Sequence, residues 1–321
     1  MDNSLGLYLE KDGFLFDSIF NYKGALLNKE AIYITDDDTN KYIEYIKKNI
    51  INKLIIDIRK SNIQSLDFLY EILHVRYLYI IGDIDYSPLY QLKHLRYLGI
   101  SGSNEIMINM IEGLESFSTA FPNSVTGVGE AKSLKSLELD GFYASGAYEN
   151  LNFLAKLENL DTLVLVNINI SSLEGIENLR NLKVLILENM KKLENINHLS
   201  NLKNSLKNLR IESCNKIKDF DSIKELSELV FLSINRVKLV PNLEFISNLK
   251  NLNSFVSDSS NFIDGNLTYL LNVNHVVIYP IRKHYYVVKQ NENKKAKDTD
   301  FNYGERLMGD EEIVLWRRIA Y

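Results

Sequence analysis

The sequence predicts an α/β solenoid, a stack of about twelve short coils. Each coil gives one strand to a parallel sheet lining the concave side of a curved horseshoe, and a short 3₁₀ or α segment to the convex side. Two observations carry this prediction. From residue 157 to 252, leucines recur in one phase: Leu157, Leu160, Leu163 and Leu165 line up with Leu179, Leu182, Leu185 and Leu187, then with Leu202, Leu206, Leu209 and Ile211, then with Leu226, Leu229, Leu232 and Ile234. The chain of 321 residues also exceeds the usual single core, yet no Pro/Gly/Ser-rich linker divides it. A solenoid reconciles the two facts, because it grows by adding coils.

Each unit has a physical reading. In Leu160-x-x-Leu163-x-Leu165 the strand alternation points Leu163 and Leu165 inward, and Thr162, Val164 and Val166 outward. In Ile170-x-x-Leu173-x-x-Ile176-x-x-Leu179 every third residue is apolar, which suits a tight helical turn. The first apolar residue of each strand serves as a marker: Ile32, Ile56, Leu78, Leu98, Phe117, Leu137, Leu163, Leu185, Leu209, Leu232, Phe255 and Val276. These markers define a solenoid over residues 31–280, interrupted by a less regular segment at 104–130. There Ile106, Met107, Met110, Ile111 and Leu114 suggest a helix, and residues 122–129 a loop.

The ends should differ from the middle, since terminal coils must be capped. Residues 1–30 form the N-terminal cap, in which Leu7–Glu10 and Phe14–Phe16 flank the type I′ hairpin signal Asp12-Gly13. Tyr42, Ile43, Ile46 and Ile50 give an amphipathic helix after an Asp/Thr/Asn cap region. Residues 281–321 form the C-terminal cap, with strands at His284–Lys289 and Ile313–Ile319 joined by a mobile Lys/Asn-rich connector, Asn291–Asp300.

With these residues in place, segments 163–179 (LVLVNINISSLEGIENL) and 185–199 (LILENMKKLENINHL) resemble bacterial leucine-rich repeats of the internalin type. The resemblance covers residues 30–280 and implies a binding scaffold; the family includes adhesins, adaptors, effectors and immunity proteins. It also implies an Asn ladder bonding backbone groups. That position is filled here by Phe142, Ile168, Met190, Cys214 and Val237, an apolar column. Cys214 is thereby expected to be a buried, inert thiol rather than a nucleophile.

The remaining chemistry signals are weak. The net charge of -5 and pI near 5.7 argue against nucleic acid as a partner and favour a basic protein. No apolar run reaches the roughly 20 residues of a membrane helix, and no secretory n-region opens the chain, so a cytoplasmic protein, monomeric in isolation, is expected. His74 and His94 fall at equivalent places in consecutive coils but lack a third zinc ligand, and Asp36–Asp38 lacks the calcium-loop spacing. No catalytic constellation, cofactor motif or metal motif appears, and the expectation is a protein without enzymatic activity or cofactor.

What stands above background is the outward strand face. The expected patch is apolar at Val164, Val166, Val184 and Ile186, flanked by Glu138, Asp140, Glu188 and Glu212. Tyr77, Tyr79 and Tyr97 lie toward the N-terminal side, and Arg210 and Phe231 complete the surface. The function expected is therefore concave-face binding of a basic, partly apolar protein, with a toxin-neutralising immunity protein as one concrete form. The alternatives are an exported adhesin or host-directed effector, or an enzyme with its chemistry in the irregular segments.

Overall fold

The structure is a computed structural model, and it describes residues 8–17, 31–141, 148–289, 292–295 and 297. The chain divides into two compact units, Met1–Tyr143 with Met308–Tyr321, and Ala144–Leu307.

The first unit opens with an antiparallel hairpin, β1 (Tyr8–Lys11) and β2 (Phe14–Asp17), and β2 runs antiparallel to β3 (Ala31–Ile34). Asp12 and Gly13 both have positive φ, 54° and 79°, as a type I′ turn requires. The helix α1 (Thr39–Asn49) follows, N-capped by the Asp38 carboxylate, which accepts from the Lys41 N–H. Tyr42, Ile43 and Ile46 are its buried side. Ile50, expected on that side, is instead the left-handed C-cap and 78% exposed. Asp36 accepts from Lys41 Nζ and from the Asp38 N–H, so the Asp36–Asp38 run is a helix-entry turn.

Parallel pairing then takes over through β4 (Lys53–Asp57), β5 (Tyr77–Ile81), β6 (Tyr97–Ser101), β8 (Ser116–Thr119) and β10 (Ser136–Asp140). Two short strands, β7 (Ile106–Met107) and β9 (Val125–Thr126), pair with each other away from this sheet. The 104–130 segment is thus corrected. It holds no α-helix but a regular coil, with 3₁₀ turns at Ile108–Met110, Pro122–Ser124 and Val128–Glu130 and with Phe117 fully in register. One marker is also corrected, since Leu54, not Ile56, pairs with Ile32 and Leu78. The run Leu-Ile-Ile offers two residues of the same strand parity, so alternation alone could not choose between them.

The second unit stacks β11 (Thr162–Val166), β12 (Val184–Glu188), β13 (Asn208–Glu212), β14 (Phe231–Asn235), β15 (Ser254–Asp258) and β16 (His275–Tyr279), all parallel and with every marker in register. A hairpin of β17 (Tyr286–Lys289) and β18 (Glu292–Lys295) follows. Part of the stretch expected to be a mobile connector is therefore strand. The expected strand Ile313–Ile319 lies outside the described residues, as do Leu7 and Phe142.

Leu163, Leu185, Leu209 and Leu232 are fully buried, each worth about 1.5–3 kcal/mol relative to exposure. The three-residue periodicity gives 3₁₀ helices, such as Ile176–Asn178 and Glu244–Asn248, with Ile170, Leu173, Ile176 and Leu179 all at 0% exposure. Short side chains start these turns: Asp85, Asn150, Asn195, Asp219 and Asn242 each accept from the N–H two residues on.

A second column closes the strands. Asn167, Asn189, Ser213, Arg236 and Ser259 all have φ between 52° and 59°. In each, the N–H donates to a carbonyl of the next strand, as Asn189 does to Glu212 at 2.8 Å. The backbone itself thereby extends the ladder past the last strand residue, beside the apolar column of Ile168, Met190, Cys214 and Val237, which are 0–4% exposed. In the following coil Ser260 takes that column's place, and its Oγ accepts from the Val237 N–H and donates to the Ile234 carbonyl.

Candidate functional site

Parity of the strands puts every predicted binding residue on the outer face of the sheet, opposite the leucine core, and register sorts them into rows. In the second unit Val164 lies beside Ile186 and then Arg210, Val166 beside Glu188 and then Glu212, and Val184 beside Asn208 and then Phe231. In the first unit Tyr77 lies beside Tyr97, and Tyr79 beside Gly99.

Their burial differs from the expectation of an exposed patch. Val164 and Ile186 are 3% exposed, Val166 7%, Phe231 4%, Arg210 2% and Glu212 5%. On the first unit Tyr79, Tyr97 and Glu138 are 2–3% exposed. Only Tyr77, Asp140, Val184 and Glu188 are half-buried. Strands stand about 4.8 Å apart, so a large side chain in one row covers its neighbour. Tyr33, Ile55, Tyr79 and Tyr97 form one such cluster with Ala31. The Tyr79 ring lies over Gly99, where a Cβ would stand 2.1 Å from it. A residue assigned to the outward face is thus not necessarily open to solvent.

The charge pattern also needs correction. The outward column through Glu188 and Glu212, acidic in its charges, has no Arg at the positions that strand register aligns with them, but two arginines from outside it reach Glu212. Arg210, two residues earlier on the same strand, donates to Glu212 Oε2, and Arg236, from the left-handed turn, donates to Oε1 at 3.0 Å. Arg236 Nε also stands 3.9 Å from Asp258 Oδ2. Glu212 is therefore neutralised. Glu188 makes no side-chain hydrogen bond or ion pair with any described residue. In the first unit Arg59 clamps Asp57 through both oxygens at 3.1 and 3.2 Å, and the Tyr33 hydroxyl donates to Asp57 at 2.8 Å. Burial pushes the Asp57 carboxyl up, but Arg59 and Tyr33 outweigh it and hold it below its ordinary 3.8. Because the folded value is depressed, the stability this site contributes is present above pH 3.8 and is lost as pH falls through the lower folded value.

Sequence reasoning missed Tyr279, 70% exposed on β16, and Arg236, whose side chain is 53% exposed. Tyr279 continues the acidic column, so its signal was present; Arg236 was hidden because a left-handed turn re-aims its side chain toward the sheet. His74 Nε2 lies 3.0 Å from the Ile51 carbonyl, a structural contact between coils. Among the described residues no three His, Cys, Asp or Glu side chains are grouped to hold a metal ion. No helix among them is long and apolar enough to cross a membrane.

Cys214 is fully buried, and burial pushes its thiol up to about 12 from 9.0. The thiolate is the reactive form, so the native protein is expected to resist a thiol reagent at pH 8 and to react once unfolded in urea. Rapid native labelling would contradict the assignment.

Regular coils of one strand and one 3₁₀ turn, with a leucine core, define a leucine-rich repeat solenoid. No protein-family model matches the chain, and no curated protein matches it. Solved structures do. The functional domain of InlJ from Listeria monocytogenes, which includes a cysteine ladder, is similar at a TM-score of 0.53 and 14% identity, over 76% of this chain and 51% of that one. Internalin C2 from Listeria monocytogenes is 21% identical over 62% of this chain and 76% of its own, at a TM-score of 0.41. A leucine-rich repeat protein of Leptospira interrogans is 18% identical over 78% and 72%, at 0.47. At these identities the likeness is one of fold.

Proposed function

We propose that this chain is a non-enzymatic protein-binding module that works through the outer sheet face of its second unit. The observation that carries this reading is a contrast along the strands. Inward positions on β11 to β14 repeat as Leu or Ile, while one outward column runs Val166, Glu188, Glu212, Asn235, Asp258 and Tyr279. A scaffold needs the first pattern; variety in the second is where a solenoid encodes a partner.

The accessible members define the partner's chemistry. Among the described residues no cation pairs with the Glu188 carboxylate, and Tyr279 is an exposed aromatic of the kind that anchors interfaces. Arg236 is held by Glu212 at the rim. A partner with a basic, partly apolar surface fits this set. One concrete form of the reading is a monomeric cytoplasmic immunity protein that neutralises a basic toxin such as a nuclease, where charge complementarity speeds capture.

The test is a Glu188→Lys variant of the full chain, measured against the partner that the wild type captures. Affinity is expected to fall by roughly tenfold, about 1.4 kcal/mol, with the loss shrinking as salt rises. Unchanged affinity at low salt would remove Glu188 from the contact. The Glu212→Lys variant is a poorer probe, because it also breaks the buried pair with Arg210.

A further inference from the structure

In the second unit the chain leaves β12, β13 and β14 through the left-handed residues Asn189, Ser213 and Arg236, and the turns that follow form one flank of the stack. Two and three residues on come Lys191 and Lys192, then Lys216, then Lys238 and Leu239; five on come Lys218 and Pro241, and all are exposed. Contacts between coils hold these positions side by side. Asn215 Oδ1 accepts from the Lys238 N–H at 2.9 Å, and Lys216 Nζ stands 3.1 Å from Glu194 Oε1. In the next coil Ile263 donates its N–H to the Val240 carbonyl at 2.9 Å, which sets it beside Pro241.

The flank is cationic on a chain whose net charge is -5. Among the described residues Lys191, Lys192, Lys218 and Lys238 pair with no carboxylate, whereas Lys216 pairs with Glu194. The other carboxylates nearby, Asp219 and Asp264, accept from the N–H groups of Asp221 and Asn266. The flank is also apolar, with Leu239 60% and Ile263 49% exposed. In the described part of this unit the other exposed large apolar side chain is Tyr279, which belongs to the sheet face.

We propose that this flank docks the protein on an anionic lipid bilayer, with its lysines at the headgroups and Leu239 and Ile263 sunk among them. The residue types favour lipid over an acidic protein. Protein interfaces are enriched in Arg and aromatic side chains and depleted in Lys. Here every cation is a lysine and the exposed large apolar side chains are aliphatic. A lysine's flexible stem follows diffuse, laterally mobile charge, while the fork of an arginine suits a fixed carboxylate. Each lysine near an anionic surface is worth roughly fivefold in affinity. Three coil spacings cover about 15 Å, so these side chains lie within reach of one patch of bilayer. Such attachment stays at the surface and needs no spanning helix.

The proposal stands apart from the partner-binding reading, because it concerns a different face and is tested without a partner. Cosedimentation of the purified full chain with vesicles is the experiment. Vesicles of phosphatidylserine mixed with phosphatidylcholine should bind at least about tenfold more tightly than phosphatidylcholine alone, with the difference shrinking as salt rises. Lys191→Glu/Lys192→Glu/Lys218→Glu should weaken that binding by at least about tenfold while the circular dichroism stays native. Leu239→Ser should weaken it severalfold and leave the salt dependence unchanged, which separates insertion from charge. A charge-matched control, Lys203→Glu/Lys207→Glu/Lys250→Glu, changes exposed positions on the edge that leads into the strands and should lose far less. Equal loss in the control and the flank variant would overturn the proposal, since net charge alone would then explain the binding. So would equal affinity for the two kinds of vesicle. Binding to polyglutamate without binding to the mixed vesicles would also overturn it and assign the flank to an acidic protein.

Discussion

Glu212→Ala is expected to lower stability by about 3 kcal/mol, because it removes the carboxylate that bonds the Arg210 guanidinium at 2% exposure. The cost arises from taking a carboxylate away from a buried charge rather than from the net strength of the pair. Two charges desolvated together gain little net energy, and an apolar pair of similar volume can match them. The double variant Arg210→Met/Glu212→Leu should therefore recover much of what the single variant loses. Urea unfolding of the three proteins measures this, with the midpoint of the second unit's transition as the readout. Equal destabilisation in single and double variants would show that Arg210 and Glu212 hold the face by packing alone.

Gly175→Val is expected to be at least as damaging locally, at about 3 kcal/mol or more. Gly175 has φ +98° at the entry to the 3₁₀ turn Ile176–Asn178, where L side chains are strained. A Cβ there would also stand 2.4 Å from the backbone N of Asn152 and 2.5 Å from the carbonyl carbon of Leu151. Backbone cannot swing aside as a side chain can, so the two coils must separate. Gly13→Ala, in the hairpin turn, meets only the positive φ and has open space around it. Thermal unfolding should rank the two far apart; similar shifts would mean that the coils yield at Gly175.

Periodicity made the scaffold legible, and the reason is physical. A buried row of leucines every 22 to 24 residues can be satisfied only by stacking, so Leu163, Leu185, Leu209 and Leu232 announce both strand and register. Where the inward residues are ambiguous the reading slipped, as at Leu54 and Ile56. At Ile106–Leu114 the apolar spacing suits a helix equally well, but the neighbouring coils impose a strand and a 3₁₀ turn.

The outer strand face was legible in its residues and illegible in their exposure. Alternation correctly put Val164, Ile186 and Glu212 on the outer face. It could not show that large neighbours bury them, nor that Arg210 and Arg236 neutralise Glu212. Those facts depend on side chains reaching between rows, and on a left-handed residue that turns Arg236 back onto the sheet. The sequence did carry one signal for that turn. Asn167 and Asn189 are residue types that tolerate φ > 0, at the same place after consecutive strands.

The most direct test of the account compares two variants against a single captured partner. One carries Glu188→Lys and Tyr279→Ala on the outer sheet face; the other carries Lys216→Glu in the turn after β13 and Lys224→Glu on the 3₁₀ helix Asp221–Glu225. If the outer face of the second unit is the binding surface, the first variant loses at least about tenfold in affinity while the second binds as wild type. Loss confined to the second variant, with both proteins natively folded, would contradict the assignment of function to the sheet.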